Sequence, residues 1–240
     1  TEELARVADS LRAAALEAKV QSVAGDTKVV NWGKGDKVFI TTTGIGEVAP
    51  DVVLGAEKMH VGDKVIVSGY IGDHGITVLS QRENLEFESD LCSDCAALNG
   101  LVAAMLDEAR AAGSIEAIRC MRDPTRGGVA TTLNELAAQA ALAIRIEEDA
   151  IPVRDAVRGA CEMLGLDPLF VANEGKLLAI VAAEYASRIL ERMKAHPLGK
   201  DARVIGEVID GPARRVLMKT GIGGTRIVDT LFGEQLPRIC

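Results

Sequence analysis

Along residues 2 to 19, EELARVADSLRAAALEAK, apolar side chains return at helical spacing. Leu4, Val7, Leu11, Ala14 or Ala15, and Ala18 share one stripe, charges fill the other faces, and the spacing predicts an amphipathic helix. Two β-branched runs follow, VQSVAGDTKVVNW and DKVFITTTGIGEV, separated by the hairpin-like turn signal GKGD, and they predict strands. AEKMHVGD reads as a linker. GDKVIVSGYIGDHGITVLS then gives a buried strand, a glycine-rich loop and the start of another element. A helix is predicted from Cys95 to about Ala112, a strand and loop over IEAIRCMRDPTRGG, and a helix over Val129 to Ala141.

The remainder alternates: LAIRIEE as strand, PVRDAVRGACEMLGL as helix, GKLLAIVAAE as strand, YASRILERMKAH as helix, ARVIGEVID as strand. RRVLMKT and TRIVDTL close the chain as a hairpin. Strands and helices interleave while hairpins recur, so the expected class is α+β, a mixed α/β arrangement of helices packed on mixed sheets rather than a doubly wound parallel one. No internal repeat is visible.

Composition narrows what such a fold could serve. The 240 residues, 48% hydrophobic and 26% charged, suffice for one large domain or two modest ones. Aromatic content of 3% leaves little material for stacking bases, and a net charge of -8 argues against nucleic acid or an anionic membrane as partner. No apolar run approaches a membrane span, and no signal peptide is visible at the start. Five cysteines, an odd number, fit free thiols in a reducing cytoplasm better than a disulfide framework.

Several stretches carry chemistry. AGDTKVV offers Asp26, Thr27 and Lys28 after a glycine; a carboxylate there can hold Mg2+ while the ammonium meets a phosphate, or Asp26 simply bonds its own backbone in a turn. SGYIGDHG sets Gly69, Gly72 and Gly75 around Asp73 and His74, where backbone can approach a ligand and an imidazole can move a proton. RDPTRGGV places Asp123, Thr125, Arg126, Gly127 and Gly128 before a helix, where free amides and the macrodipole attract anions; the alternative is a cap with a buried Asp123–Arg126 pair. LCSDCAALNG holds a CxxC without the second half of a zinc site, and Cys92 and Cys95 are expected to be partly buried at a helix start. Cys120 and Cys161 lie in apolar patterns and read as core. FVANEGKL puts Asn173, Glu174 and Lys176 before a buried strand, with Glu174 either a general base or part of a turn at Gly175.

GDTKVV, GDHG, SDCAALNGL, DPTRGGV, NEGKL, HPLGKDARVIGEV and the terminal LPRIC together resemble, in order and context, the HypE family of hydrogenase maturation factors. That family stands with aminoimidazole ribonucleotide synthetase and selenophosphate synthetase in a superfamily of ATP-using enzymes with a PurM-like two-domain architecture. The resemblance implies that Cys240 receives a carbamoyl group from the carbamoyltransferase HypF. An ATP-dependent dehydration then makes a thiocyanate, whose cyanide passes to iron on the HypC–HypD complex. It implies Lys28 and Glu174 around the carboxamide, Asp26 and Thr27 beside nucleotide and Mg2+, and His74, Asp123, Arg126 and Gly127 near the phosphates. It further implies a homodimer.

Family members carry a glycine-rich segment and acidic strands ahead of the point where this chain starts, at Thr1, so an N-terminally truncated chain is expected. Residues 1–58 are read as the remnant of an ATP-binding domain and 59–240 as a C-terminal α+β domain with a Cys-ending tail. Two rival expectations remain: a docking module that presents the modified tail without converting it, and another ATP-dependent synthetase of the superfamily.

Overall fold

The computed structural model describes residues 2–35, 37–84 and 90–230, so Cys240 and the tail around it lie outside the described residues. The chain divides into two compact units, Thr1–Val52 and Val53–Cys240.

In the first unit the predicted amphipathic helix is present as α1, Glu2–Glu17. Its apolar stripe is not buried: Leu4 and Leu11 remain 48% and 47% exposed. The two β-branched runs that follow form no strand among the described residues, which corrects the sequence expectation. β-branched composition supplies propensity, but a strand exists only where a second backbone satisfies its amides and carbonyls. Among the described residues of these runs, Trp32 and Ile45 are fully exposed.

The second unit is built on a seven-stranded sheet in the order β2-β4-β1-β5-β3-β6-β7. Its strands are β1 Lys64–Val67, β2 Ile118–Arg122, β3 Ala143–Glu147, β4 Leu178–Val181, β5 Arg203–Ile209, β6 Arg215–Lys219 and β7 Thr225–Val228. Neighbours are antiparallel except β3 and β6, which run parallel, so the expected mixed sheet is what forms. The helices are α2 Asp73–Glu83, α3 Asn99–Ala111, α4 Gly128–Ala140, α5 Asp155–Leu164 and α6 Ala183–Lys194.

Alternation along the strands divides the core between two faces. Val65, Val67, Leu178 and Ile180 point to the face covered by α4, through Val129, Leu133, Leu136 and Ala137. Ile66, Ala179 and Val181 point to the opposite face, where Leu101, Met105 and Ala109 of α3 meet Ala186, Ile189 and Met193 of α6. Burial on both faces explains why β4 reads LAIV with no polar position. A smaller cluster joins Ile76 of α2 to Val157, Ala160 and Cys161 of α5.

Two further expectations change. The segment read as a linker contains a 3-10 turn, Ala56–Lys58, and Ala56 and Met59 are buried in the core beneath α4. The helix predicted from Cys95 begins only at Asn99. The Asp94 carboxylate accepts from the Glu174 amide and Ser93 Oγ accepts from the Cys95 amide, so these polar groups fold the segment as a loop instead of capping a helix.

The register delivers the functional loops to one edge. Val67 and Arg122, the last residues of β1 and β2, both pair with Leu178, the first residue of β4. The loops after β1 and β2 and the loop before β4 therefore emerge side by side.

Candidate functional site

Three loops converge at that edge: 68–73 with the start of α2, 123–128 at the start of α4, and 171–177 before β4. Asn173, with no exposed surface, joins them. Its Oδ1 accepts from the Gly72 amide at 2.8 Å, and its Nδ2 donates to the carbonyls of Pro124 at 3.1 Å and Val171 at 3.0 Å. All of its hydrogen-bonding capacity but one lone pair goes to backbone from three loops.

The glycines are where those backbones touch. Gly72 and Gly127 adopt φ of +87° and +67°, in the left-handed region, and start α2 and α4. At Gly128, φ is +62° and a Cβ would lie 2.4 Å from the Leu169 carbonyl oxygen and 2.7 Å from that of Val171. Only hydrogen fits there.

His74 lies in the first turn of α2, 8% exposed. Its Nδ1 is 2.8 Å from Ser93 Oγ and 3.7 Å from Cys95 Sγ, while Nε2 is buried with no partner among the described residues. Glu174 is half-buried, with its amide donating to Asp94 Oδ1 at 3.0 Å and its Oε1 likewise without a partner among the described residues. Asp94 is ion-paired with Lys176 at 2.9 Å, and both side chains are nearly sealed from solvent, which strengthens the pair. The SDC loop presses so closely on Gly175 that a Cβ there would overlap the Asp94 carbonyl oxygen.

Asp73, beside His74, is held by Arg154, whose Nε donates to Oδ2 at 3.0 Å and whose guanidinium stacks 4.2 Å over Tyr70. Burial pushes the Asp73 carboxyl above its ordinary value, and the Arg154 hydrogen bond and charge only partly oppose this.

The neighbouring loop forms an open cavity of about 260 Å³ lined by Arg122, Asp123, Thr125, Arg126, Thr132 and Glu135. The buried Asp123–Arg126 pair weighed from sequence does not form: both side chains are exposed, and Asp123 instead accepts from Thr125 Oγ1. Arg122 pairs with Glu135 at 2.9 Å.

Of the residues predicted from sequence, His74 and Glu174 therefore share one cluster, and Asp123, Arg126 and Gly127 occupy the loop that Asn173 fastens to it. Asp26, Thr27 and Lys28 are exposed in the first unit, with the Thr27 amide donating to Asp26 Oδ1 at 2.8 Å in a stretch that forms no turn. Cys240 lies outside the described residues. Cys92 and Cys95 are exposed, not partly buried as expected, because the helix that would have covered them starts later. Cys120 and Cys161 are buried, with thiol pKa values pushed by desolvation up to about 12 and about 11. Among the described residues no three His, Cys, Asp or Glu side chains form a metal-binding group, and no helix is long and apolar enough to cross a membrane.

Sequence reasoning missed the clamping roles of Asn173, Asp94 and Arg154. The one available signal was the polar group Asn173, Glu174 and Lys176 directly after the apolar FVA.

Comparison with known proteins agrees with this architecture. Residues 60–219 match the AIR synthase related protein, C-terminal domain. A carbamoyl dehydratase HypE from Azotobacter vinelandii is 58% identical over 99% of this chain and 68% of its own length, and the one from Escherichia coli K12 is 43% identical over 100% and 68%. The solved structure of a hydrogenase maturation protein HypE in complex with ATP superposes with a TM-score of 0.91 at 46% identity, covering 99% of this chain and 70% of that one. A HypE–HypF complex matches with a TM-score of 0.84 at 40% identity over 96% and 73%. The chain belongs to the carbamoyl dehydratase HypE family of hydrogenase maturation proteins.

Proposed function

We propose that the protein uses ATP to dehydrate a carbamoyl group carried on Cys240 to a thiocyanate, the source of the cyanide ligand on a nickel–iron hydrogenase. The observation that carries this reading is the pair of buried atoms Glu174 Oε1 and His74 Nε2, neither with a partner among the described residues, on loops that the Asn173 carboxamide ties together. Leaving such an atom without a bond costs about 1–3 kcal/mol, and such groups concentrate where a substrate supplies the missing partner.

When bound, ATP supplies the phosphoryl group that turns the carbamoyl oxygen into a leaving group. In this reading the chain's own residues do the rest. Glu174 takes one proton from the carbamoyl nitrogen, and His74, through the lone pair at its buried Nε2, receives the second as the phosphate departs. Arg126, with the amides at Gly127 and the α4 N-terminus, meets phosphate oxygens, and the Asp123 hydrogen bond to Thr125 shapes that loop. Asp26 and Thr27 lie at the nucleotide. Asp26 is also the residue that would hold Mg2+. That ion keeps several waters and takes one or two protein carboxylates plus substrate phosphates. A single exposed carboxylate with one oxygen already occupied by the Thr27 amide fits such a shared role.

The carbamoyl donor in this scheme is HypF and the cyanide acceptor HypC–HypD, with the protein acting as a homodimer in the cytoplasm. In this reading the nucleotide-binding part precedes the second unit, and that unit, whose core already takes in Ala56, is the C-terminal domain that carries the tail. Glu174→Gln tests the reading: the carbamoylated protein should form and then fail to lose water on addition of ATP. Dehydration at the wild-type rate in that variant would overturn it.

A further inference from the structure

Ser93 and Asp94, ahead of α3, contact the two residues whose side chains carry buried atoms without a partner among the described residues, and the proposed reaction assigns neither a task. Ser93 Oγ lies 2.8 Å from His74 Nδ1 and also donates to Cys95 Sγ at 3.2 Å. A hydroxyl has one proton. With that proton on Cys95 Sγ, the imidazole donates through Nδ1 and presents a lone pair at the buried Nε2. The next residue, Asp94, accepts the Glu174 amide through Oδ1 and is pinned by Lys176. Two adjacent residues thus hold the two groups, one through its side chain and one through its backbone.

We propose that Ser93 and Asp94 are positioning residues for the dehydration: Ser93 fixes the tautomer and ring orientation of His74, and Asp94 fixes the carboxylate-bearing loop at Glu174. The inference rests on the proposed function. Neither residue touches substrate in this scheme; each acts through its neighbour. Misplacing a catalytic group by about 1 Å can cost about 100-fold in rate, so the clamp is worth a measurable fraction of that.

The test follows single-turnover loss of water from the pre-carbamoylated full chain by intact mass, across a range of pH and ATP concentrations. Ser93→Ala should slow dehydration about 10-fold or more and move the midpoint of the pH–rate profile. Thermal midpoint and half-saturating ATP should stay unchanged, and Ser93→Thr, which keeps the hydroxyl, should recover most of the rate. Asp94→Asn, which keeps the acceptor for the Glu174 amide, should be faster than Asp94→Ala, which removes it. If Asp94→Ala does not fold, Asp94→Asn and the two Ser93 variants decide the question. Wild-type rates and pH profiles in the Ser93 and Asp94 variants, with Glu174→Gln inactive, would overturn this inference alone. Wild-type rates in Glu174→Gln and His74→Gln would overturn the underlying reading and the inference with it.

Discussion

The Gly72 amide donates to the Asn173 carboxamide across 2.8 Å, joining residues 101 apart in sequence at the edge of the sheet where β1 ends and β4 begins. The same side chain reaches the Pro124 carbonyl, so one buried Asn sets the spacing of the loops that carry His74, Glu174 and Arg126. Asn173→Ala should lower stability by about 3 kcal/mol, because it strands a buried amide and carbonyls at once. Urea unfolding measures this. Asn173→Asp should be little better, since a carboxylate cannot donate to the two carbonyls.

Gly128 and Gly113 have similar backbones and opposite surroundings. Both have positive φ, +62° and +74°, but a Cβ on Gly128 meets two carbonyl oxygens, while one on Gly113 meets nothing within 4 Å. Gly113→Ala should cost about 1 kcal/mol from backbone strain, and Gly128→Ala at least about twice that because the 169–171 backbone must also move. Equal thermal midpoints for the two variants would refute the close-packing account.

Acid and base act oppositely on two carboxylates. Asp73 is raised by burial above 3.8, so its folded form holds the proton more tightly. Its stabilising contribution is complete below the unfolded value and is lost as pH rises through the folded one. Glu207 is lowered below 4.5 by the Lys64 hydrogen bond first and by Arg145 also, so its contribution is present above the unfolded value and fades as pH falls through the folded one. Glu207→Gln should therefore cost about 1 kcal/mol near neutrality and nothing in strong acid. Asp73→Asn should flatten the decline just above pH 3.8. Chemical denaturation as a function of pH reads both.

Thiol chemistry should divide by burial. Native-state alkylation at neutral pH should label Cys92 and Cys95, which are exposed, and spare Cys120 and Cys161, whose thiols titrate near 12 and 11. Peptide mapping checks this, and denaturant should expose the protected pair.

Much of the second unit was legible because each apolar run is bounded by glycine, proline or charge. LAIRIEE, GKLLAIVAAE and ARVIGEVID became β3, β4 and β5, and the closing hairpin became β6 and β7. The β-branched runs at 20–48 misled for the converse reason: strand formation depends on a partner that local sequence does not name. At the site, the glycines and the NEGK and GDHG stretches announced loops that approach a ligand. What joins them was invisible to spacing. Asn173 bonds residues 101 and 49 positions away, and Arg154 reaches Asp73 across 81, pairings that only the sheet register creates.

Intact mass of the protein after incubation with HypF, carbamoyl phosphate and ATP, with peptide mapping of the tail and Cys240→Ala alongside, is the measurement on which the account turns. A carbamoyl adduct should appear on Cys240, be absent from the Cys240→Ala protein, and lose one water once ATP is added. No adduct on Cys240, or an adduct that persists unchanged with ATP present, would contradict it.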